Sequence, residues 1–372
     1  MKITINRKEL LTKLTTVRKA CPSRPRMPIL GNVLMFCAGP RLTLLATNLD
    51  YELTAVVEAV DAVTEPGMIT IEPKLLIEIL RVSTDEEVML EATDVSAAMQ
   101  GIPLSVMAAK DYPRMKNVHA LDGVLEIPDI KNVLSRALWA MATEDSRPAL
   151  NSVYLNVTDG KASMVTANGY AMAVLSVSDE CTLAASVLIP AETVALLTKV
   201  AGKKDAVTIT TAAEYAILTV GEYTITTPLV LGTFPNFRQL IPDEGTVLEF
   251  NADQALRQLK VLAATEPSCG IIRLEATDGV LRLSAKAADA EDDTVMSLSI
   301  PADGECKIAI DIKYLKAAII ACNMPTYHKT IRLTTTNPRS PMKFTTGDGE
   351  DVFVVMPMFV QWPDDVSKGD SQ

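Results

Sequence analysis

The stretch LEIPDIKNVLSRAL, residues 125–138, restarts a pattern that the chain has already used once. ITINRKELLTKL begins at Ile3 and LEFNADQALRQLK at Leu248, so a short strand running into a basic helix occurs three times. Two further units recur in the same order. NVLMFCAGPRLTLLAT from Asn32, SVYLNVTDGKASMVTA from Ser152 and IIRLEATDGVLRLSAK from Ile271 each read as two alternating strands around a tight turn. Gly39-Pro40, Asp159-Gly160 and Asp278-Gly279 supply the residues that such turns require. MITIEPKLLIEILRV from Met68, SVLIPAETVALLTKV from Ser186 and CKIAIDIKYLKAAII from Cys306 read as a strand followed by a helix. Equivalent points lie about 120 residues apart, the length of a domain and too long for a solenoid unit. The expected fold class is therefore α+β, with three tandem copies of one domain over residues 1–122, 123–244 and 245–360. Residues 361–372 are expected to form a disordered tail.

Bulk properties agree with that division. A chain of 372 residues suits two or three domains, and 48% hydrophobic against 22% charged residues describes a folded globule. MKITINRKELL lacks the features of a signal peptide, and no apolar run approaches about 18 residues, so a soluble cytoplasmic protein is expected. The six cysteines (Cys21, Cys37, Cys181, Cys269, Cys306 and Cys322) are far apart and read as free thiols.

No chemistry-bearing motif stands out. The two histidines, His119 and His328, have no Cys, Asp or Glu at metal-ligand spacing, and the acidic run ADAEDD (288–293) lacks the spacing of a calcium loop. GxSxG, Walker A and GxGxxG are all absent. Neither a metal nor another cofactor is expected, and the reading is of a protein that is not an enzyme.

A net charge of -11 argues at first sight against a nucleic-acid partner, but the charge is partitioned. The six recurring helices, read as 7–20, 73–82, 128–143, 190–204, 252–264 and 311–321, carry 16 basic and 6 acidic residues. The rest of the chain carries 19 basic and 40 acidic residues. Asp129, Glu192, Asp253 and Asp311 fall at helix starts, where unpaired N–H groups and the dipole favour carboxylates. The helix bodies keep Lys13, Arg18, Lys74, Arg81, Lys131, Arg136, Lys199, Lys203, Arg257, Lys260, Lys313 and Lys316. Solvated helix faces ordinarily mix Lys and Arg with as much Glu, so this bias predicts a shared positive surface for a polyanion. Few aromatics and no glycine-rich reading element accompany it, which predicts sequence-independent phosphate contact.

At this point the sequence resembles the bacterial DNA polymerase III beta subunit, the sliding-clamp family, over residues 1–358. The resemblance rests on RPRMPILGN (24–32), RPALN (147–151), TANGYAMA (166–173), GTFPNFRQLIP (232–242) and VVMPM (354–358). It implies a ring of two chains, joined domain 1 to domain 3, with helices lining a hole around duplex DNA and antiparallel sheets outside. Two helices per domain at about 8 to 10 Å spacing give a circumference near ~108 Å, wide enough for a duplex only when two chains combine. The resemblance places Arg24 near DNA. It also implies an apolar pocket for short motifs of polymerases, the clamp loader and other partners. The matching positions are Leu150, Ala167, Gly169, Tyr170, Ala171, Met172, Pro235, Gln239, Leu240, Pro341, Val354, Met356, Pro357 and Met358. This chain departs from the family pattern at Asn168, Tyr170 and Ala171, where Asp, His and Arg are common, and at Gln239, commonly Arg. The rival reading is an enzyme on an anionic substrate, but its cations would converge in one pocket, whereas these are spread over three repeats.

Overall fold

A computed structural model describes residues 1–60, 65–115, 122–212, 214–264, 270–286, 295–322, 329–346 and 350–360. His119, His328, Cys269, ADAEDD and the 361–372 tail lie outside the described residues.

The element order repeats three times as strand, helix, four strands, helix, three strands. The first repeat runs β1 (Lys2–Asn6), α1 (Arg7–Val17), β2 (Val33–Ala38), β3 (Arg41–Thr47), β4 (Glu52–Glu58), β5 (Gly67–Ile71), α2 (Pro73–Val82), β6 (Glu87–Ala92), β7 (Ala97–Met99) and β8 (Ile102–Leu104), followed by a short β9 (Val106–Met107). The second runs β10 (Asp122–Ile127), α3 (Ile130–Ala137), β11 (Ser152–Thr158), β12 (Lys161–Ala167), β13 (Ala171–Ser178), β14 (Val187–Pro190), α4 (Ala191–Val200), β15 (Val207–Ala212), β16 (Tyr215–Val220) and β17 (Tyr223–Pro228). The third runs β18 (Thr246–Asn251), α5 (Ala252–Ala264), β19 (Ile271–Thr277), β20 (Val280–Lys286), β21 (Val295–Asp303), β22 (Cys306–Asp311), α6 (Ile312–Cys322), β23 (Thr330–Thr335), β24 (Met342–Thr345) and β25 (Val352–Val355).

The local chemistry repeats as well. Asn6 accepts hydrogen bonds from the N–H groups of Lys8 and Glu9, Asn251 from Gln254, and Asp311 from Lys313, so the same capping device starts α1, α5 and α6. The Asp-Gly turns take left-handed φ at both central residues, 53° and 75° at Asp159-Gly160 and again at Asp278-Gly279. That geometry matches the right-handed twist of the flanking strands.

The chain divides into two compact units. Unit 1 comprises residues 1–132, 157–162 and 178–231. It holds a nine-stranded sheet ordered β10-β15-β16-β17-β4-β3-β2-β5-β9 and a four-stranded sheet ordered β1-β6-β7-β8. Repeats 1 and 2 meet here edge to edge, because β17 pairs antiparallel with β4 from Tyr223↔Ala55 to Thr226↔Glu52. On α1, Leu10, Leu14 and Val17 are spaced for one face and fully buried, each contributing about 1.5–3 kcal/mol of apolar burial.

Unit 2 comprises residues 133–156, 163–177 and 232–372. Its antiparallel pairing runs β13-β25-β24-β23-β18-β21-β20-β19-β22. Repeats 2 and 3 meet as repeats 1 and 2 do, with β25 against β13 from Ala171↔Val355 to Val174↔Val352. Leu259 and Leu262 of α5, Leu315 and Ile319 of α6, Phe344 and Phe353 are buried in this unit.

Two expected surface cations are corrected by the fold. Lys13 is 4% exposed, and its Nζ donates to Glu9 Oε1 (2.7 Å) and Val56 O (2.6 Å) and pairs with Glu222 Oε1 (3.0 Å). Arg136 is 9% exposed, donating from Nε to Ala321 O (2.8 Å) and pairing through Nη2 with Asp351 (2.5 Å), with its guanidinium over the Phe353 ring. Their charges are consumed inside units 1 and 2, where an unpaired cation would be costly. Helix α4 also ends at Val200, so Lys203 sits on a loop, in which the Asp205 carboxylate accepts from Gly202 N (2.8 Å).

Candidate functional site

Three segments of unit 2 carry most of the expected peptide-binding residues: the β12–β13 turn, the 232–242 segment and the strip after β25. Asn168 shapes the turn by accepting from Tyr170 N and Ala171 N, both at 2.9 Å. Gly169 has φ +91°, a backbone that side chains rarely adopt. The turn pushes Tyr170 outward, 61% exposed, while Ala171 and Met172 enter β13 and are buried. Tyr170 O then accepts from Met356 N (2.8 Å), and Met358 N donates to Ala309 O (2.8 Å). These bonds fasten the VVMPM strip so that Met356 and Met358 are partly exposed while Val354 and Pro357 are buried.

The 232–242 segment is pinned by aromatics. Phe234 stacks on Tyr154 at 4.8 Å, Phe237 meets Phe234 edge-on at 6.3 Å, and the Arg238 guanidinium covers Phe237. With both rings inward, Pro235, Gln239 and Leu240 face solvent. Leu150, Ala167 and Pro341 are half-buried. Of the fourteen expected positions, then, Ala171, Met172, Val354 and Pro357 form the supporting layer, and Tyr170, Pro235, Gln239, Leu240, Met356 and Met358 offer contact surface.

A cavity of about 340 Å³ opens beside Tyr170 and Leu150. Residues that sequence reasoning did not single out complete it: Trp139, Met141, Glu144 and Tyr314. Tyr314 stacks on Tyr170 at 6.2 Å and lies 6.5 Å from Trp139, whose Nε1 donates to Arg136 O. Burial, with Asp311 adding to it, holds the Tyr314 phenol above its ordinary range, so the hydroxyl stays neutral near pH 7. Lys313, expected on the DNA-facing surface, also lines this cavity, with Nζ 5.4 Å from the Tyr314 ring centre. Trp139 in ALWAM and Tyr314 in IKYL carried a weak signal, as large aromatics in helices whose remaining apolar positions already fill the core face.

The other expected cations are exposed: Arg24, Lys74, Arg81, Lys131, Lys199, Lys203, Arg257, Lys260 and Lys316. Arg81 pairs with Glu78 (2.6 Å) and Lys131 donates to Ala201 O (3.3 Å). Among the described residues no group of His, Cys, Asp and Glu could hold a metal, and no helix is long and apolar enough to cross a membrane.

The profile of the DNA polymerase III beta subunit N-terminal domain matches residues 1–116, and that of its central domain matches residues 125–236. The chain belongs to the DNA polymerase III beta-subunit family. Its function is that of a polymerase processivity factor, a non-catalytic subunit. Among relatives, the beta sliding clamp of Pseudomonas putida is 28% identical, over 96% of this chain and 100% of the relative. That of Escherichia coli K12 is 25% identical, with the same coverage. In structure, the beta subunit of Pseudomonas aeruginosa superposes with a TM-score of 0.84 at 23% identity, over 96% of this chain and 100% of the other. The Thermotoga maritima beta subunit gives 0.83 at 18% identity, over 97% and 100%.

Proposed function

We propose that two copies of this chain close head to tail into a ring around duplex DNA, and that the surface built on Tyr170, Leu240, Met356 and Met358 tethers the polymerase and other partners. The observation that carries the ring is the repetition of one junction. The last strand of repeat 2 pairs with β4 of repeat 1, and the last strand of repeat 3 pairs with β13 of repeat 2. By the same rule β8, the last strand of repeat 1, calls for the equivalent strand of repeat 3, which is β21. β8 ends its sheet, and β21 from Val295 to Pro301 pairs on one side only among the described residues. Unsatisfied edges of this kind template pairing with another chain, and a head-to-tail contact that closes on itself makes a ring.

The reading takes 1–122, 123–244 and 245–360 as the three clamp domains. Exposed cations on or beside the helices, Lys74, Arg81, Lys131, Lys199, Lys203, Arg257, Lys260 and Lys316, with Arg24, would meet phosphates without reading bases. Support for the pocket comes from the adaptable Met surface and from a Pseudomonas aeruginosa sliding clamp solved bound to griselimycin. A protein in this role would work in the cytoplasm, beside the replication partners it tethers. Sedimentation equilibrium tests the ring: a species of twice the 40.2 kDa chain mass is expected. The closure fails if charged substitutions at Ile102 and Leu104 of β8 leave that mass unchanged, or if the parent chain is a monomer at micromolar concentration.

A further inference from the structure

Strand β8 ends its sheet with a proline at its centre, Ile102-Pro103-Leu104. The turn before it fixes which way the proline nitrogen points. β7 and β8 are joined by Gln100 (φ 51°) and Gly101 (φ 77°), the left-handed pair of a two-residue hairpin turn. Residues flanking such a turn exchange both backbone hydrogen bonds, so Met99↔Ile102 is a bonded pair, Ala98↔Pro103 a non-bonded one and Ala97↔Leu104 bonded again. Pro103 therefore turns its nitrogen and its carbonyl away from β7, toward the free edge. That edge offers an acceptor at its centre and no donor.

The two junctions inside the chain differ at this point. β16 and β17 are also joined by two residues, so Thr224 holds the place in β17 that Pro103 holds in β8, and it faces Thr54 of β4. At the second junction Met356 N donates to Tyr170 O, and by strand alternation Val354 and Val352 point the same way, at Met172 and Val174. Thr224, Val352 and Val354 all carry an N–H. On β21 the outward backbone groups follow from the Asp278-Gly279 turn, which makes Thr277↔Val280 a bonded pair. Leu281, Leu283 and Ala285 of β20 then bond β21, and Ser297 and Ser299 turn their backbone groups outward. Matching Ile5↔Ala59 of repeat 1 with Phe250↔Ala302 of repeat 3 gives Ser297 the place of Thr54.

We infer that Pro103 weakens the seam between two copies of this chain: where β8 meets β21 of a second copy, the Ser297 carbonyl of that copy finds no N–H, although both internal junctions supply one. The inference rests on the ring reading above and assigns the strength of closure to one residue. A ring has two such seams, so two hydrogen bonds are missing from each dimer. The same proline blunts the edge against stray strands while a chain is alone.

Pro103→Ala and Pro103→Thr test this on the full chain, by fluorescence-detected sedimentation from nanomolar to micromolar concentration and by exchange between donor- and acceptor-labelled populations. Both variants restore the N–H, and only threonine adds a β-branched side chain. Each should tighten the dimer by about 25-fold, roughly fivefold per seam, and slow exchange to match, with the parent circular dichroism spectrum kept. A dimer constant within about twofold of the parent for both variants overturns the inference and leaves the ring standing. Tightening by threonine alone also overturns it, because the gain then belongs to the side chain. A chain that stays monomeric at micromolar concentration, as parent and as both variants, overturns the ring reading together with the inference.

Discussion

Arg136→Ala should be the most destabilising single change in unit 2, and the size of the effect follows from what the guanidinium holds. It is 9% exposed, its partner Asp351 has a side chain 18% exposed, and its Nε donates to Ala321 O near the end of α6. Asp351 also accepts from Ser176 N at 3.0 Å, so one carboxylate ties α3, β13 and the start of β25. Removing the cation strands a nearly buried carboxylate and a carbonyl, for which about 3–5 kcal/mol is expected. For a unit of this size that corresponds to a fall of roughly 10 °C in the thermal midpoint. Arg81→Ala is the control, since its pair with Glu78 is exposed on both sides and contributes about 0–1 kcal/mol. Arg136→Met with Asp351→Leu should recover most of the loss, because both charges leave together. Circular dichroism melts of the four proteins measure this. A fall below about 1 kcal/mol for Arg136→Ala would refute the assignment of Arg136 to the interior.

Other perturbations separate the pocket, the positive surface and the backbone. Met356→Ala with Met358→Ala should weaken binding of a polymerase tail peptide by about tenfold or more without changing the mass in solution; unaltered affinity removes the strip from the site. Arg257→Gln and Lys260→Gln should each lower the slope of log K against log salt for duplex DNA by about one, whereas Lys13→Gln should leave the slope unchanged. Gly304→Ala should cost about 2 kcal/mol or more, since φ is +104° and a Cβ would stand 2.1 Å from Val247 O, as guanidinium unfolding would report. Glu52→Gln should stabilise the protein at pH 7, because burial raises the Glu52 carboxyl in the folded state, with Met115 N and Arg114 opposing. The charged form is the disfavoured one, so the gain should begin to fade as pH falls through the raised folded-state value and be gone below the ordinary 4.5, where both states are protonated.

The threefold repeat was legible because its marks are local: hairpin turns such as Asp159-Gly160, caps such as Asn6 and Asp311, and helix faces such as Leu10, Leu14 and Val17. Each is fixed within a few residues of chain. What could not be read was where distant oxygens fall. Lys13 and Arg136 look in sequence like any solvated helix cation, and the groups that bury them, Val56 and Ala321, lie 43 and 185 residues away. The sequence of α4 predicts a helix that continues through Lys203, yet Gly202 and the Asp205 carboxylate turn the chain first. The VVMPM strip was visible by resemblance, whereas Trp139, Arg147 and Tyr314 join it only once β13 and β25 pair and α6 is packed.

Topological linkage to DNA is tested most directly by loading the protein on a nicked circular plasmid, isolating the complex by gel filtration in moderate salt, and repeating the isolation after linearisation with a single-cutting nuclease. Retention on the circle and loss from the linear form are expected, because a ring slides off a free end. Equal retention on both, or none on either, would contradict a clamp that encircles its duplex.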